Sequence, residues 1–456
     1  MALDDTPLDD EISFILNRPP VPIYANWTLT LLTPDGEEIF PTKLLSLDIE
    51  RNYINNYTDL TIADAVFPLG VYRRFVLANK EDLKAEVVRY PRWMHTDPEE
   101  ELPPPDDEGP IQYMFKTVLI EEDDDVLGVR GANNQTQGEM DLRDLIRIRI
   151  QLLDPALEEL QKMEVGGIYR DEIPLHVARY ILTHTSDELD VADEDAIYGV
   201  DMVEPDNTEE FEHVIIPQGT KPWDVAALIQ RDWGGCYNAG IGCYLQDHHW
   251  YLWPLFNTRR FEDVEDTLTV FNIPPFRYRG IEKTWRLTDR QLIIIATGDS
   301  DHIDESHHQQ LNLGSGERFT HGDRALDGFG DTYDNKFVME RKRNNSEYVA
   351  VEKEGYLMVG VSDNHISNNS FHHASQFANR KGSFVHLVWE NSRHELVYPG
   401  MPTKCVFLDK VDELIELDAV VVKAHHFIHD RSKGFVKHNF FCNTALTLFV
   451  EKYKDE

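Results

Sequence analysis

Strict alternation of apolar and polar residues is the feature that most restricts how this chain folds. In "LSLDIE", residues 45–50, Leu45, Leu47 and Ile49 alternate with polar side chains. The same period of two runs through "DLKAEVV" (82–88) and "LIRIRIQLL" (145–153). Because successive side chains of a strand point to opposite faces, this pattern predicts half-buried β-strands. Residues 20–153 are therefore predicted to form one antiparallel sheet or barrel, interrupted by polar loops at 96–110 and 121–141.

Helical signals follow this region. Asp154-Pro155 is a strong helix start, and Gly166-Gly167 is predicted to end that helix. Apolar residues at helical spacing predict a second helix over 174–183. Thr220 is predicted to cap a third helix, in "KPWDVAALIQRDWGG", which Gly234-Gly235 would end. A hairpin that turns at Gln246-Asp247 is expected next.

The last part of the chain again has the pattern of strands. "LIIIATG", "FVHLVW", "KCVFL" and "AVVVKAHHFIH" are apolar or alternating, and "DRSKG" (430–434) is predicted to turn the chain into a final strand. In "AVVVKAHHFIH", one face is predicted to carry Val420, Val422, Ala424 and Ile428, and the other Val421, Lys423, His425 and His429.

These elements predict an α+β fold that is mainly β. Two β-rich sections are joined by a helical, mixed α/β middle. The predicted divisions are an N-terminal arm at 1–20, a first β-domain at 21–153 with long acidic loops, a middle domain at 154–280, a second β-domain at 281–452 with a polar loop at 299–335, and a tail at 453–456.

Charge is the strongest global signal. Lys and Arg total 44 and Asp and Glu total 82, which gives a formal charge of −38. Nucleic acid is bound largely by cations that neutralise phosphates, so this composition argues against a general DNA binder and against an anionic membrane surface. Two interpretations stay open: carboxylates that keep a large protein soluble, or a surface that lies near DNA without binding it.

Composition also restricts the cellular compartment. Four cysteines in 456 residues do not form a disulfide framework. The acidic start "MALDDTPLDDEISFILNRPP" has no basic n-region followed by a long apolar core, and no apolar run reaches about 18 residues. The sequence therefore predicts no signal peptide, no membrane insertion, and synthesis in a reducing cytoplasm.

Three groups of residues that are rich in histidine are candidate metal ligands, because imidazole, thiolate and carboxylate side chains suit Zn²⁺ or Fe²⁺. None has the spacing of a known zinc motif, and each has a simpler interpretation as loop, core or strand residues. The groups are His302, His307, His308, His321 and Asp323; Cys236, Cys243, His248 and His249; and His425, His426 and His429.

Catalytic motifs are missing from the sequence. No Gly-x-Ser-x-Gly elbow, dinucleotide-binding glycine pattern or P-loop occurs in the context that each requires. The sequence thus predicts no catalytic residue, no cofactor-binding residue, no metal ligand and no cofactor, and a protein that is not an enzyme.

Several stretches resemble central hub proteins of phage tails and baseplates. "LSLDIERNYINNYTDLTIADAVFPLGVYRRFVLANKEDLKAEVVRY" resembles the first tube-like domain of such hubs: a strand, an Asn/Tyr corner that ends at Thr58-Asp59, a second strand that reaches a Pro-Leu-Gly-x-Tyr turn at Pro68–Tyr72, and a strand start at Asp82-Leu83. "IIPQGTKPWDVAALIQRDWG", "CYLQDHHWYLWPLFNTRRF", "ENSRHELVYPGMPTKCVFL" and "DAVVVKAHHFIHDRSKGFVKHNFFCNTALTLFVEK" are similar to later parts of the family.

The resemblance implies a structural virion protein. Each chain would contribute two tube-like antiparallel β-barrel domains to a homotrimer, which adapts a sixfold tail tube to a threefold spike. Its implied partners are tail tube or distal tail proteins, the spike protein, and genomic DNA that passes through an acidic channel without specific binding. Its implied location is the virion, after assembly in the host cytoplasm. In this interpretation the Asn/Tyr corner shapes a place where subunits meet.

Two alternatives stay open at this point. One is another virion protein with a tube-like fold, such as a distal tail or tail tube protein. The other is a metal-dependent hydrolase built on the His-rich loops.

Overall fold

The computed structural model describes most of the chain between residues 24 and 451. The described residues are 24–92, 110–120, 144–233, 235–261, 264, 266–273, 284–288, 290–301, 382–408, 414–430 and 440–451, together with the backbone of four short strands between 317 and 351. The predicted arm at 1–20, most of the predicted loops at 96–110, 121–141 and 299–335, and the turn after Asp430 lie outside these residues.

Among the described residues, seven strands precede the first long helix. They are β1 (Tyr24–Leu32), β2 (Glu38–Ile39), β3 (Lys43–Asn52), β4 (Leu60–Pro68), β5 (Lys84–Arg92), β6 (Ile111–Ile120) and β7 (Leu145–Leu153). The alternating segments lie in β3, β5 and β7, so the prediction of strands there is confirmed. Gly36, in the turn between β1 and β2, has a φ of 82°.

The predicted Pro-Leu-Gly turn after β4 is wrong. The chain forms one helical turn, Leu69–Val71, and a π-helical segment, Tyr72–Val76. Pro68 directly precedes the helical turn with a φ of −64°, a position where its missing N–H costs nothing. Leu69 and Val76 are buried, so core packing favours this helical connection over a simple turn.

The middle region contains three helices and five short strands. They are α1 (Pro155–Lys162), β8 (Val165–Tyr169), α2 (Pro174–Asp187), β9 (Gly199–Met202), β10 (Val214–Thr220), α3 (Asp224–Asp232), β11 (Ile241–Gln246) and β12 (His249–Pro254). The Asp154 carboxylate accepts hydrogen bonds from the backbone N–H of Ala156 and Leu157, which confirms the predicted start of α1. β10 pairs with β8, and β12 pairs with β11 and β9.

Three local predictions in this region are wrong. Gly166 does not end α1; it lies in β8, where an added Cβ would stand 2.7 Å from the Cα of Gln218. Thr220 does not cap α3, because its hydroxyl donates to the Pro217 carbonyl and α3 begins at Asp224. The hairpin turns at Asp247 and His248, whose φ angles of 49° and 63° are typical of a two-residue type I′ loop.

Strands also dominate the last part of the chain. They are β13 (Thr267–Asn272), β14 (Trp285–Thr288), β15 (Gln291–Asp301), β16 (Glu317–Thr320), β17 (Thr332–Tyr333), β18 (Phe337–Lys342), β19 (Glu347–Val351), β20 (Gly382–Trp389), β21 (Pro402–Leu408), β22 (Leu414–Asp430) and β23 (Phe440–Glu451). β16 to β19 form a separate four-stranded sheet.

The other strands of the two β-rich sections belong to one 14-stranded mixed sheet. The prediction of a mainly β fold with helices in the middle is confirmed, but the strands of this sheet are not all antiparallel. β13 runs parallel to both β15 and β21. β13 also precedes residue 281, so the sheet takes in part of the predicted middle domain.

The pairing path in this sheet closes on itself twice. A first circuit runs β1-β5-β6-β7-β4-β3-β22-β23 and returns to β1 through the pair Ala25–Phe440. A second circuit runs β13-β21-β22-β23-β20-β15 and returns to β13. Both circuits contain the β22–β23 hairpin, so the 17-residue strand β22 belongs to both β-rich sections.

Three large apolar cores in the described part of the chain correspond to the three regions. One core fills the first circuit and includes Ile428 and Phe440 of the shared hairpin. A second core packs α1, α2 and α3 against the middle strands. The third core fills the second circuit and takes in Tyr53 from the first section and Trp253 from the middle region. The regions are thus packed together through shared side chains.

The predicted alternation along β22 fails at one point. A register irregularity lies between Val421 and Lys423, where β22 pairs with β23. Val420 and Val422 pack in a small separate cluster, whereas Val421 and Ala424 both pack in the core of the second circuit. A β-bulge shifts one side chain to the other face, which explains why a strict period of two does not hold.

No helix in the described part of the chain is both long and apolar enough to cross a lipid bilayer.

Candidate functional site

Two segments meet the β11–β12 hairpin where the three regions join. One is the Asn/Tyr corner at 52–59, between β3 and β4. The other is the segment 391–398 between β20 and β21, which we call the strap. We refer to the corner, the strap, the hairpin and the buried side chains that link them as the junction.

Arg51, the residue before the corner, is the centre of the junction. Its side chain is 2% exposed, and its Nε donates to Asp59 Oδ2 at 3.0 Å. Its Nη1 donates to the carbonyl oxygens of His394 and Val397, each at 2.8 Å. Burial lowers the pKa of Arg51 and the Asp59 carboxylate raises it, and the net direction is upward. Asp59 also accepts a hydrogen bond from the Tyr244 hydroxyl, so one charge pair ties the first section, the strap and the middle region together.

The Tyr53 side chain of the corner is buried in the core of the second circuit. Its ring packs edge-on against Tyr244, with centroids 4.8 Å apart, and against Trp253 at 6.0 Å. Its hydroxyl donates to Gln246 Oε1 at 3.2 Å, and Gln246 Nε2 donates to the Val397 carbonyl at 2.9 Å. Burial raises the pKa of Tyr53 well above its usual range, so this hydroxyl remains a neutral donor.

The far end of the corner rests on the middle region. The Tyr57 ring stacks on Trp223 with centroids 4.4 Å apart and planes 7° from parallel. The backbone N–H of Leu245 donates to the Tyr57 carbonyl, and Thr58 forms an isolated bridge with Leu245. The corner therefore packs against its own chain. Tyr53 is buried within one chain, and the interpretation that the corner shapes a contact between subunits stays a prediction.

The strap is tied to the first section by charge and by ring packing. Glu395 Oε1 lies 2.8 Å from Arg89 Nη1 of β5, and its Oε2 lies 3.3 Å from Arg393 Nε. Burial raises the pKa of Glu395 while His394, Arg89 and Arg393 lower it, and the net value is about 2. The ring of His394 packs on Trp27 of β1 with centroids 5.6 Å apart.

A second polar group links the strap to the shared hairpin. His426 of β22 is fully buried, and its Nδ1 lies 2.7 Å from Thr444 Oγ1 of β23. Thr444 Oγ1 lies 2.6 Å from Ser392 Oγ, which donates to Cys442 Sγ at 3.2 Å. The rings of His394 and His426 are 5.9 Å apart, so the two imidazoles are neighbours inside the protein.

A small cavity of about 30 Å³ lies beside the strap. It is lined by residues from β1, β5, β14, β23 and the strap, among them Trp27, Arg89, Trp285, His394 and Cys442. This volume is large enough for at least one water molecule. The junction can thus hold the three regions in fixed positions, with a small cavity beside the strap.

The candidate metal ligands are not brought together in the described part of the chain. His302, His307, His308, His321 and Asp323 lie outside the described residues. Within those residues no group of three or more His, Cys, Asp or Glu side chains is placed to share a metal ion.

The other candidate ligands occupy separate places. Cys236 is buried in the core of the middle region, and His248 lies in the β11–β12 turn. The His425 ring packs at a tilt of 39° against Phe427, with centroids 3.8 Å apart, on the face of β22 opposite the buried His426.

Sequence reasoning missed the main residues of the junction, although the alternation contained a signal for two of them. Continuing the period of two from Leu47 and Ile49 places Arg51 on the buried face of β3. Likewise, His426 falls between Ala424 and Ile428 on the buried face of β22. A charged or polar residue on a buried face requires partners, and that requirement could have identified both. Nothing in the local sequence indicates that the strap supplies those partners.

No protein-family model matches the sequence, and no curated protein matches it either. Among solved structures, the chain is similar to the 43 kDa tail protein of prophage MuSo2 from Shewanella oneidensis, with a TM-score of 0.45 and 9% identity over 92% of this chain and 98% of that chain. It is also similar to chains of two PdpA–VgrG complexes, each with a TM-score of 0.40 and 10% identity over 95% of this chain. The match covers 66% of the chain in the lidless complex and 54% of the chain in the lidded Francisella complex. Its structural neighbours therefore include a phage tail protein and VgrG complexes. At TM-scores below 0.5 these likenesses do not establish a shared fold or function.

Proposed function

We propose that this protein is a structural component of a phage-tail-like particle, the central hub of a tail or baseplate that works as a homotrimer. The observation that carries the proposal is the pair of closed pairing circuits that share the β22–β23 hairpin. We interpret each circuit as one tube-like barrel. Two such barrels in each of three chains would give a ring with pseudo-sixfold order, suited to join a sixfold tube to a threefold spike.

The junction supports a mechanical role. Arg51 and Tyr53 lock the first section to the strap and to the middle region through buried hydrogen bonds. A hub that transmits load between a tube and a spike needs barrels that keep a fixed relation. Paired charges buried at the meeting point specify one arrangement, because any other leaves a charge unpaired.

The charge of the chain supports passage of DNA. A formal charge of −38 repels phosphate, so an opening lined by carboxylates would let DNA slide without binding.

In this proposal the domain divisions are those predicted from the sequence, with β13 assigned to the second barrel because it pairs with β15 and β21. The partners are a tube or distal tail protein at one face and a spike at the other, and the location is the virion.

Native mass spectrometry of the purified chain, combined with metal analysis, tests the proposal. We expect a mass three times that of the chain. A stable sixfold ring would instead favour a tail tube protein, and a monomer with stoichiometric zinc would favour a metal-dependent hydrolase. Replacing His302, His307 and His308 together with Ala should leave mass and metal content unchanged. A loss of bound zinc in that variant would contradict the proposal.

A further inference from the structure

The strap holds a buried histidine that faces a second buried histidine across the junction. His394 in the strap and His426 in β22 have rings 5.9 Å apart. Nε2 of His426 has no hydrogen-bond partner among the described residues, and its Nδ1 meets only the Thr444 hydroxyl. The Thr444 hydroxyl lies beside His426, whereas the Trp27 ring packs on His394 and Glu395 Oε2 lies 3.5 Å from His394 Nδ1.

We propose that the strap is an acid-sensitive latch, which protonation of His394 and His426 releases from the first section and from the shared hairpin. The latch would act where the two pairing circuits meet. Three contacts follow one another along the start of β23. Phe440 pairs with β1, the Cys442 carbonyl accepts a hydrogen bond from the backbone N–H of Ser392 in the strap, and the residues from Thr444 onward pair with β20.

The charges that face His426 oppose its protonation. They are the Arg51 guanidinium from β3 and, once protonated, the His394 imidazole from the strap; His425 lies on the opposite face of β22 and, once protonated, acts in the same direction. From β23 it faces the uncharged Thr444 side chain. Burial lowers the pKa of His426 well below its usual range, and the Arg51 guanidinium lowers it further.

The charges that face His394 are mixed. Glu395 and Asp247 favour the imidazolium, whereas Arg51 and Arg89 oppose it. Burial is the largest influence and lowers the pKa of His394. The Glu395 carboxylate is already shared with Arg89 and Arg393, so a new positive charge on His394 competes for a partner that is in use.

The direction of the pH effect follows from these shifts. A histidine whose pKa is lowered in the closed strap stabilises the closed state above its ordinary pKa near 6.5, and that stability is lost as pH falls toward the lowered value. Between pH 7.5 and 5.0, each such histidine raises the opening equilibrium by at most about 30-fold, and the two together by at most about 1,000-fold. The cavity beside the strap is lined by His394 and is large enough for a water molecule next to that imidazole.

Hydrogen–deuterium exchange of the full-length protein at pH 7.5 and 5.0 tests the latch. After correction for the intrinsic pH dependence of exchange, we expect peptides that cover 391–398 and 440–442 to exchange at least tenfold faster at pH 5.0. Peptides from β4 should not change. The double variant His394→Gln, His426→Gln should lose the response, and His184→Gln, whose histidine is exposed on α2, should keep it.

A second measurement keeps the test valid if the double variant fails to fold. Release of the strap removes His394 from the Trp27 ring, which is 6% exposed while the strap is closed, so the emission difference between the native protein and Trp27→Phe should move to longer wavelength as pH drops from 7.5 to 5.0. A constant difference would overturn the proposal. Equal exchange of the strap at both pH values, or a response that persists in the double variant, would also overturn it.

Discussion

Replacing Arg51 by Met should lower the free energy of unfolding more than an Arg→Met replacement at an exposed arginine. The variant leaves the Asp59 carboxylate without its cation and removes the hydrogen bonds that Arg51 donates to the carbonyls of His394 and Val397. Removing one member of a buried charge pair costs about 3–5 kcal/mol. Because folded domains are stable by only about 5–15 kcal/mol, this loss is a large part of the total.

Urea denaturation followed by tryptophan fluorescence and by far-UV circular dichroism measures the effect. Two probes are needed, since three packed regions need not unfold in one step. Arg231→Met is the matched control, because Arg231 is 63% exposed and pairs with Asp232 at the surface; its cost should stay below about 1 kcal/mol. In a double-mutant cycle with Asp59→Asn, the coupling energy should exceed about 1 kcal/mol. A midpoint shift in Arg51→Met no larger than that of Arg231→Met would refute the role given to Arg51.

Three further predictions use the same urea assay. Asp154→Ala removes the cap of α1 and should cost about 1 kcal/mol; an unchanged midpoint would show that the cap contributes nothing. Gly400→Ala should lower the free energy of unfolding by about 1–2 kcal/mol, because the backbone φ of 67° strains any residue other than Gly. It should lower it by about 1–3 kcal/mol more, because the new Cβ would stand 2.4 Å from Trp253. Gly36→Ala, with a φ of 82° and open space around it, should show only the backbone cost, and equal losses in the two variants would contradict the packing argument. Because the pKa of Glu395 is lowered to about 2, its stabilising contribution, at most about 3 kcal/mol, is present above pH 4.5 and is lost as pH falls from 4.5 toward 2. Glu395→Gln should flatten the pH dependence in that window, and an unchanged slope would contradict it.

The sequence predicts the local elements well where one physical signal dominates. β3, β5 and β7 alternate because one face is buried and the other meets water, and that signal needs no knowledge of the rest of the chain. The start of α1 is equally local, since Asp154 satisfies two N–H groups of its own helix. The predictions that failed depend on distant contacts. Gly166 lies in a strand because Gln218 approaches it, and residues 69–76 are helical because Leu69 and Val76 are buried.

The junction could be predicted only in part, because its residues are far apart in the sequence. Arg51 and His394 are separated by 343 positions, yet one donates to the other's carbonyl. Alternation shows that Arg51 and His426 fall on buried faces, and so shows that each needs a partner. It does not show which segment supplies that partner. The closure of the two circuits through β22 and β23 likewise depends on long-range pairing that no local pattern contains.

Negative-stain electron microscopy of the purified full-length chain tests the central claim most directly. The account predicts ring-shaped particles with threefold symmetry, in which six similar densities surround a central opening. Single compact particles without an opening, or rings that contain a different number of chains, would contradict it.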